Sequence, residues 1–206
     1  MHSLLTLLSG SDDMPIIATT FANLPAASAA TGRIYRVTDI AGGALFISTG
    51  TIWKPINGHL VLAASASAQS VTGTTSETVL ATVTIPAGLM TANGQLRIRS
   101  LWSYPNSANN KIPRMRLGGT SGTIFLGPTF TTTASAQYDS HIRNRNAQNS
   151  QVSWNFSSAG TGTSTGAVTT GTVDTSQAQD LVFSGTLANT GETLTLETYT
   201  VELLIP

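Results

Sequence analysis

The sequence predicts an all-β protein: a small N-terminal β-meander with an extended arm, followed by an antiparallel jelly-roll sandwich. Three observations predict it. The 206 residues include 33 Thr, 22 Ser and 19 Gly, a hydroxylated, β-branched and turn-rich composition that favours strands and loops over helices. Apolar and polar residues alternate in short runs with the period of two expected of strands buried on one face. Beyond the N-terminal arm no stretch carries a helical period, which argues against βαβ units and a parallel sheet. There is no cysteine, so a buried core, not a disulfide framework or thiolate metal site, must hold the fold.

Charge narrows the function classes. Ten Lys and Arg balance ten Asp and Glu, and charged residues make up 10 % of the chain, against roughly 25 % in an average soluble protein. A nucleic-acid binder needs a cationic surplus to displace counterions, and a disordered tail needs less apolar content than the 40 % present here.

Residues 1–32 are expected to form an extended N-terminal arm. Leu4, Leu5, Leu7 and Leu8 give its start an apolar character. No Lys or Arg precedes them, the run is too short to span a membrane, and it continues into Gly10-Ser11-Asp12-Asp13 rather than a cleavage site. Met14-Pro15 offers a second plausible start, so residues 1–13 are either a start-site artefact or an arm that docks on a neighbouring subunit. Leu24 to Gly32, with Pro25 and many Ala, reads as an extended connector.

Residues 33–64 are expected to form a small β attachment module. Its strands are Arg33 to Thr38, Ala44 to Ser48, Thr51 to Lys54 and His59 to Ala63, separated by the turn signals Gly42-Gly43, Thr49-Gly50 and Asn57-Gly58. So small a meander cannot bury a core alone and must pack on the larger domain, on its own copies or on another protein. Residues 65–75, mostly Ala, Ser, Thr and Gln, are read as a linker.

Residues 76–206 are expected to form a jelly-roll knob of about eight strands. Val79, Ala81, Val83 and Ile85 alternate with Thr78, Leu80, Thr82 and Thr84; Leu96 and Ile98 oppose Arg97 and Arg99; Met115 and Leu117 oppose Arg114 and Arg116; Val152, Trp154 and Phe156 oppose Gln151, Ser153 and Asn155. Further strands are read at 123–126, 136–145, 167–174 and 180–187. In the last segment the apolar parity switches from Leu194 and Leu196 to Tyr199, Val201, Leu203 and Ile205, which predicts a β-bulge or bend near Glu197-Thr198. Ser157 to Thr172 reads as an exposed loop, or alternatively as a weak strand ordered by a neighbouring copy.

No catalytic, cofactor-binding or metal-binding residues are predicted, and the chain is read as a non-enzyme. Asp139 and His141 share a strand face with Gln137, Arg143 and Arg145, which makes a solvated surface the simpler reading than a triad or metal site. Carboxylates are too scarce for a paired-acid mechanism. Gly118-Gly119 lacks the lysine of a phosphate loop and reads as a hairpin turn. Arg97, Arg99, Lys111, Arg114 and Arg116 are set against the acids Asp174, Asp180, Glu192, Glu197 and Glu202, so cross-strand or inter-subunit pairing explains them better than nucleic acid does. Trp102, Tyr104, Asn106 and Asn109 are candidate glycan-binding residues, since aromatic faces stack on sugar rings and amides bind hydroxyls; core packing is the competing reading for the two aromatics.

Two stretches carry a resemblance. The segment Gly32-Arg33-Ile34-Tyr35-Arg36-Val37-Thr38-Asp39, followed by Ser48-Thr49-Gly50-Thr51-Ile52-Trp53-Lys54-Pro55-Ile56-Asn57-Gly58, resembles a unit recurring near the start of tailed-bacteriophage fibre and head-fibre proteins. Glu77 to Met90 with Leu96-Arg97-Ile98, and the closing Thr193 to Leu203, are similar to strands of the jelly roll that often follows it. The resemblance implies a homotrimeric structural component at the surface of the virion, a short fibre, spike or head decoration. Its N-terminal part, including Leu4, Leu5, Leu7, Leu8 and Trp53, would attach to capsid or tail proteins. The expected partners are copies of itself and those proteins, with no nucleic acid and no membrane span; a tail adhesin binding host-surface glycan is the alternative.

Overall fold

In the computed structural model, which describes residues 16–154 and 168–206, strand follows strand, interrupted only by two single-turn 3-10 helices. Four short strands, β1 (Ile17–Thr19), β2 (Ile34–Val37), β3 (Ala44–Ser48) and β4 (Trp53–Pro55), form an N-terminal sheet in that order. β1 pairs with β2 in parallel, a departure from the antiparallel expectation, while β2–β3 and β3–β4 are antiparallel.

The remaining strands form two facing sheets. β7 (Thr78–Ile85), β9 (Lys111–Leu117), β10 (Thr123–Leu126) and β14 (Gln179–Leu187) make one, in the order β10-β9-β14-β7. β5 (His59–Ser65), β6 (Gln69–Thr72), β8 (Gln95–Ser103), β11 (Ser135–Asn144), β12 (Gln151–Ser153), β13 (Thr169–Gly171) and β15 (Thr193–Leu204) make the other. Its order is β13-β12-β11-β8-β15-β5, with β6 also on β15. The chain crosses repeatedly between antiparallel sheets, as a jelly-roll sandwich requires.

Several sequence expectations are corrected. The arm does not extend to residue 32: after β1, single 3-10 turns at Phe21–Asn23 and Ala27–Ala29 fold back beneath the N-terminal sheet. Phe21 lies 5.6 Å from the Phe46 ring, and Leu24 and Ala27 pack on the buried residues. These apolar groups favour folding back over an extended path, and the Asp39 carboxylate accepts the Phe21 N–H at 2.8 Å to fix the first turn. His59–Ser65, assigned to the attachment module, is a strand of the sandwich and pairs with β15. The expected linker contains β6, whose Val71 is buried opposite Leu194, because one apolar residue at the right register suffices to seat a short edge strand. The passage between the two parts is therefore the Asn57-Gly58 turn. Gly58 has φ +66°, and a Cβ there would lie 2.9 Å from the Ile205 carbonyl oxygen, so only glycine fits without displacement.

Inside the sandwich the alternation holds on β8, β9 and β15. Leu96, Ile98, Met115, Leu117, Leu194, Leu196, Val201 and Leu203 are all buried, and β15 shifts register against β8 between Leu196 and Thr198, at the parity switch. Two strands depart from it. On β7 a bulge opposite Phe183/Ser184 turns Val79 out, 45 % exposed, and brings Leu80 onto the core. On β12 the parity is inverted: Gln151 and Ser153 are buried, and Trp154 beyond it is 47 % exposed. Asn155 and Phe156, and the stretch 157–167 of the expected loop, lie outside the described residues; Thr169–Gly171 beyond it is strand β13, inside the strand read at 167–174 and not part of a loop running to Thr172.

The inversion on β12 follows from hydrogen bonding. The Gln151 amide nitrogen donates to Asn144 Oδ1 at 2.8 Å, to the Val173 carbonyl at 3.0 Å and to the Gln148 carbonyl at 3.2 Å, while its oxygen accepts the Val173 N–H at 2.9 Å. The Asn144 amide nitrogen donates in turn to the carbonyls of Met90 and Thr91 and to Thr175 Oγ1, at 2.8–2.9 Å. This polar plug satisfies loop carbonyls that burial would otherwise strand.

A second polar cluster includes a buried lysine. Lys111 shares parity with Met115 and Leu117 and is fully buried. Its ammonium donates to Thr131 O at 2.8 Å, Ser107 Oγ at 2.9 Å and Ser107 O at 3.2 Å, which uses all three protons. The Ser107 hydroxyl donates onward to Glu192 Oε1, which also accepts from the Asn109 amide at 2.9 Å, and these bonds hold the Glu192 carboxyl below its ordinary pKa. Glu192 Oε2 is buried without a protein partner.

Farther along β9, the strand of Lys111, Arg114 and Arg116 are bridged by Glu77, at 3.0 and 2.9 Å, and Glu77 accepts from the Ser184 hydroxyl. This corrects the expectation that the C-terminal acids answer these arginines, whereas Arg97 does face Glu202 across β8 and β15, at 4.0 Å.

Three outcomes are expected. Gln151→Ala leaves several buried groups unpaired and should lower unfolding free energy by about 2–4 kcal/mol in a denaturant titration. Lys111→Met should cost about as much, because the Ser107 and Thr131 carbonyls lose the ammonium that meets them, and Lys111→Met with Glu192→Gln should cost less than the two single changes added together, since both act through Ser107. Chiefly through the Arg116 hydrogen bond, with the Ser184 hydroxyl and the Arg114 charge adding to it against burial, the Glu77 pKa falls from an ordinary 4.5 to about 2. A depressed carboxylate pKa stabilises the fold above the unfolded value, so this contribution should be complete above pH 4.5 and disappear as pH falls through 2. Glu77→Gln should flatten the stability profile over that window.

Candidate attachment surface

The N-terminal sheet has two unlike faces. Tyr35, Val37, Phe46, Ser48 and Trp53 alternate onto the inner face, where Phe21, Leu24, Ala27 and Ala30 cover them. The Trp53 indole N–H donates to the Pro25 carbonyl at 2.8 Å, and its ring meets Tyr35 edge-on at 5.2 Å. Trp53, expected as an attachment residue, is therefore part of the module's own core. It supports a surface and does not present one.

The outer face holds the residues of opposite parity. Ile34 pairs with Ile47 and Ile47 with Lys54; Arg36 pairs with Leu45; the Ile56 N–H donates to the Leu45 carbonyl at 3.1 Å. Ile34, Leu45 and Ile56 are 38–42 % exposed, a concentration of aliphatic surface on a strand face that usually carries polar residues. Its charges are of one sign. Residues 16–58 contain the cations Arg33, Arg36 and Lys54 and a single acid, Asp39, whose carboxylate is engaged by the Phe21 N–H.

Beside this sheet an open groove of about 280 Å³ runs between Phe21, Pro25, Ile52 and Trp53 of the module and Gly88 and Thr91, beyond β7. Its walls are mainly aliphatic and aromatic carbon, so it offers contact area and few directional hydrogen bonds. Leu4, Leu5, Leu7 and Leu8, the remaining expected attachment residues, lie outside the described residues.

The four candidate glycan residues do not form a platform. Trp102 is wholly buried with its indole N–H bonded to Ser100 Oγ at 3.0 Å, and Tyr104 is buried, stacked on Phe130 at 5.2 Å and accepting from Thr133. Even β8 positions face the core, and Tyr104 continues that parity just past the strand end, so neither ring face is open to a sugar. Asn109 is engaged with Glu192, and Asn106 alone stands exposed.

Asp139 and His141 are brought together, at 3.3 Å, within a polar ladder on the outer face of the larger sheet. Arg97 binds Asp139 through two nitrogens and holds that carboxyl below its usual pKa. Burial and then the nearby Arg143 charge lower the His141 pKa, against the pull of Asp139. His59 approaches Glu202 at 3.4 Å on the same sheet. Among the described residues no group of three or more His, Asp or Glu side chains is placed to hold a metal ion, and no helix is long and apolar enough to cross a membrane. Sequence reasoning placed this ladder on a solvated strand face, where it stands. It missed the aliphatic outer face of the N-terminal sheet, although Ile34, Leu45, Ile47 and Ile56 were visible as residues left over once Val37, Phe46 and Trp53 had been assigned inward.

No protein-family model matches the sequence, and no curated protein matches it. Among solved structures the chain is similar to the CBM2 module of the evolved Dit of Lactobacillus casei BL23 phage J-1, at 15 % identity, TM-score 0.33, covering 60 % of this chain and 68 % of that one. Arcelin-5, a lectin-like defence protein from Phaseolus vulgaris, shares 9 % identity at TM-score 0.33 over 60 % of this chain and 76 % of that one. A chain of the infectious bursal disease virus Gx strain structure shares 11 % identity at TM-score 0.23, over 72 % of this chain and 40 % of that one. Likenesses of this size establish no family for the chain.

Proposed function

We propose that this protein is a non-enzymatic structural component of a tailed-phage particle, a short fibre, spike or head decoration that attaches through its N-terminal sheet and projects the jelly roll outward. The observation that carries the reading is the division of labour in the fold. The residues that resemble the phage attachment unit, Gly32 to Asp39 and Ser48 to Gly58, build a separate small sheet with an unpaired aliphatic and cationic outer face. The knob's outer sheet faces carry paired charges, Arg97 with Asp139 and Glu77 with Arg114 and Arg116, and its exposed Val61 and Val79 stand on different sheets rather than side by side. A homotrimer is part of the proposal and rests on the resemblance. The inner-face apolar residues of the meander already have partners within one chain, so core burial does not itself require three copies.

The reading has a direct test. Particles purified from cells infected by the encoding phage should contain the chain in fixed stoichiometry by quantitative mass spectrometry. Trp53→Ala removes the indole that braces the module and should reduce incorporation at least about tenfold, equivalent to about 1.4 kcal/mol of attachment energy, while the jelly roll keeps its thermal transition. Absence from particles rejects the assignment; normal incorporation of the variant rejects the N-terminal sheet as the point of attachment.

A further inference from the structure

The hydrogen bonds that turn Gln151 and Ser153 inward also turn Val152 and Trp154 outward, since neighbouring residues of a strand point to opposite faces. An indole that the sequence alternation would bury therefore stands half-exposed on the outer face of the larger sheet. Trp53 and Trp102, the other two tryptophans of the chain, are buried.

Register places the neighbours of that ring. Ile142 of β11 faces Ser153 of β12, and Arg143 faces Val152. One step farther, Trp154 stands across from His141, with Asp139 and Arg143 on its two diagonals, a separation that long side chains bridge. Arg97 and Glu202 continue the His141 row across β8 and β15. Arg143 donates through Nε to Gln95 Oε1 at 2.6 Å, which ties its guanidinium to the sheet. Arg145, also exposed, repeats the outward parity of Arg143 just past the strand end.

The charges of this face do not cancel. Asp139 is met by Arg97, Arg99 and His141, and Glu202 by Arg97 and His59. Among the described residues neither Arg143 nor Arg145 is paired with a carboxylate. Four guanidinium groups, those of Arg97, Arg99, Arg143 and Arg145, stand against the two carboxylates, an excess of two positive charges in a chain whose net charge is zero.

One open ring set among hydrogen-bonding groups is suited to a sugar. A pyranose has an apolar C–H face to lay on an indole, and hydroxyls at its edge for carboxylate, imidazole and guanidinium groups to meet. The planar fork of an arginine matches a carboxylate in two parallel hydrogen bonds. A protein partner calls for a contiguous apolar patch, whereas the positions around Trp154 hold Asp139, His141 and Arg143. Single-stranded nucleic acid calls for a series of stacking rings along a cationic groove, whereas this face carries one ring and two carboxylates.

We propose that the outer face of the larger sheet binds an acidic saccharide, with a pyranose ring stacked on Trp154, its carboxylate held by Arg143 and Arg145, and its hydroxyls bonded by Asp139 and His141. The inference concerns a ligand of the protein by itself and does not depend on the particle assignment.

Because Trp53 and Trp102 are buried, a change in tryptophan emission on adding sugar reports Trp154. Oligosaccharides of galacturonate, glucuronate and mannuronate are titrated into the full chain up to about 10 mM. At least one should change the emission and protect it from acrylamide, and the methyl ester of that same sugar, which lacks the charge, should bind at least about fivefold more weakly. By titration calorimetry, Trp154→Ala should lower the affinity at least about tenfold and Trp154→Phe should restore part of it. Arg143→Ala with Arg145→Ala should abolish the preference for the charged sugar, with the thermal transition unchanged. Binding of none of the uronates, undiminished affinity in Trp154→Ala, or equal binding of the charged and esterified sugars would each overturn the proposal. So would tighter binding of a single-stranded oligothymidylate, which assigns the face to nucleic acid, or a dimer that Trp154→Ala dissolves, which assigns it to a second copy. None of these outcomes bears on whether the protein is found in a particle, so the two readings fail separately.

Discussion

Everything in the sandwich is organised by β15. This twelve-residue strand pairs with β8 along one edge, and along the other with β6 over its first half and β5 over its second. A single strand thus joins the chain's last residues to the first residues after the N-terminal sheet and to the centre of the fold. To do so it must keep its apolar side inward over a length at which a twisted sheet would turn it away. The extra residue at Glu197 resets the phase, so Leu194 and Leu196 point inward before it and Val201 and Leu203 after it. Without that insertion one half of the strand would present its leucines to water and its threonines to the core.

A sandwich built this way has open ends, and without disulfides it must seal them by other means. The Asn144–Gln151–Thr175 plug and the Lys111–Ser107–Glu192 chain use the same approach. Each places amide, hydroxyl or ammonium donors where loops leave carbonyls turned inward. The net gain per hydrogen bond is modest, but leaving such groups unmet costs more. These clusters therefore fix the route of the loops more than they add to overall stability, and that route carries Asn109 and Tyr104 away from the surface.

How much of this was legible depended on whether side-chain parity was free to speak. It was on β8, β9 and β15, where long alternating runs leave one choice of face. It also contained the burial of Lys111, which stands two positions before Pro113 and four before Met115, on the inward side; the expectation that a lysine is solvated overrode the pattern. Trp102 shows the same conflict from the other direction, since its even parity with Leu96 and Ile98 placed it inside while its size and neighbouring asparagines suggested a ligand. The inverted β12 was not legible. A glutamine prefers the interior there only because Asn144 and Gln148, from the turn that precedes it, and Val173, from beyond β13, converge on its amide, and the strand's alternation does not report that convergence.

The N-terminal sheet was recognised as a unit from its turns, yet its role changes once its inner face is seen to be filled. A meander that lacked a core would have been driven into association by burial alone, and its partner could have been any apolar surface. Here Phe21 and Leu24 complete the inner side within one chain, so any association falls to the outer side, where four aliphatic residues lie among the cations Arg36 and Lys54 and, among the described residues of the sheet's strands, no carboxylate. Aliphatic area gives such a contact strength without direction, and a one-signed charge pattern supplies the direction. An occupant of this face must therefore be both apolar and acidic, a narrower requirement than hydrophobic burial would impose.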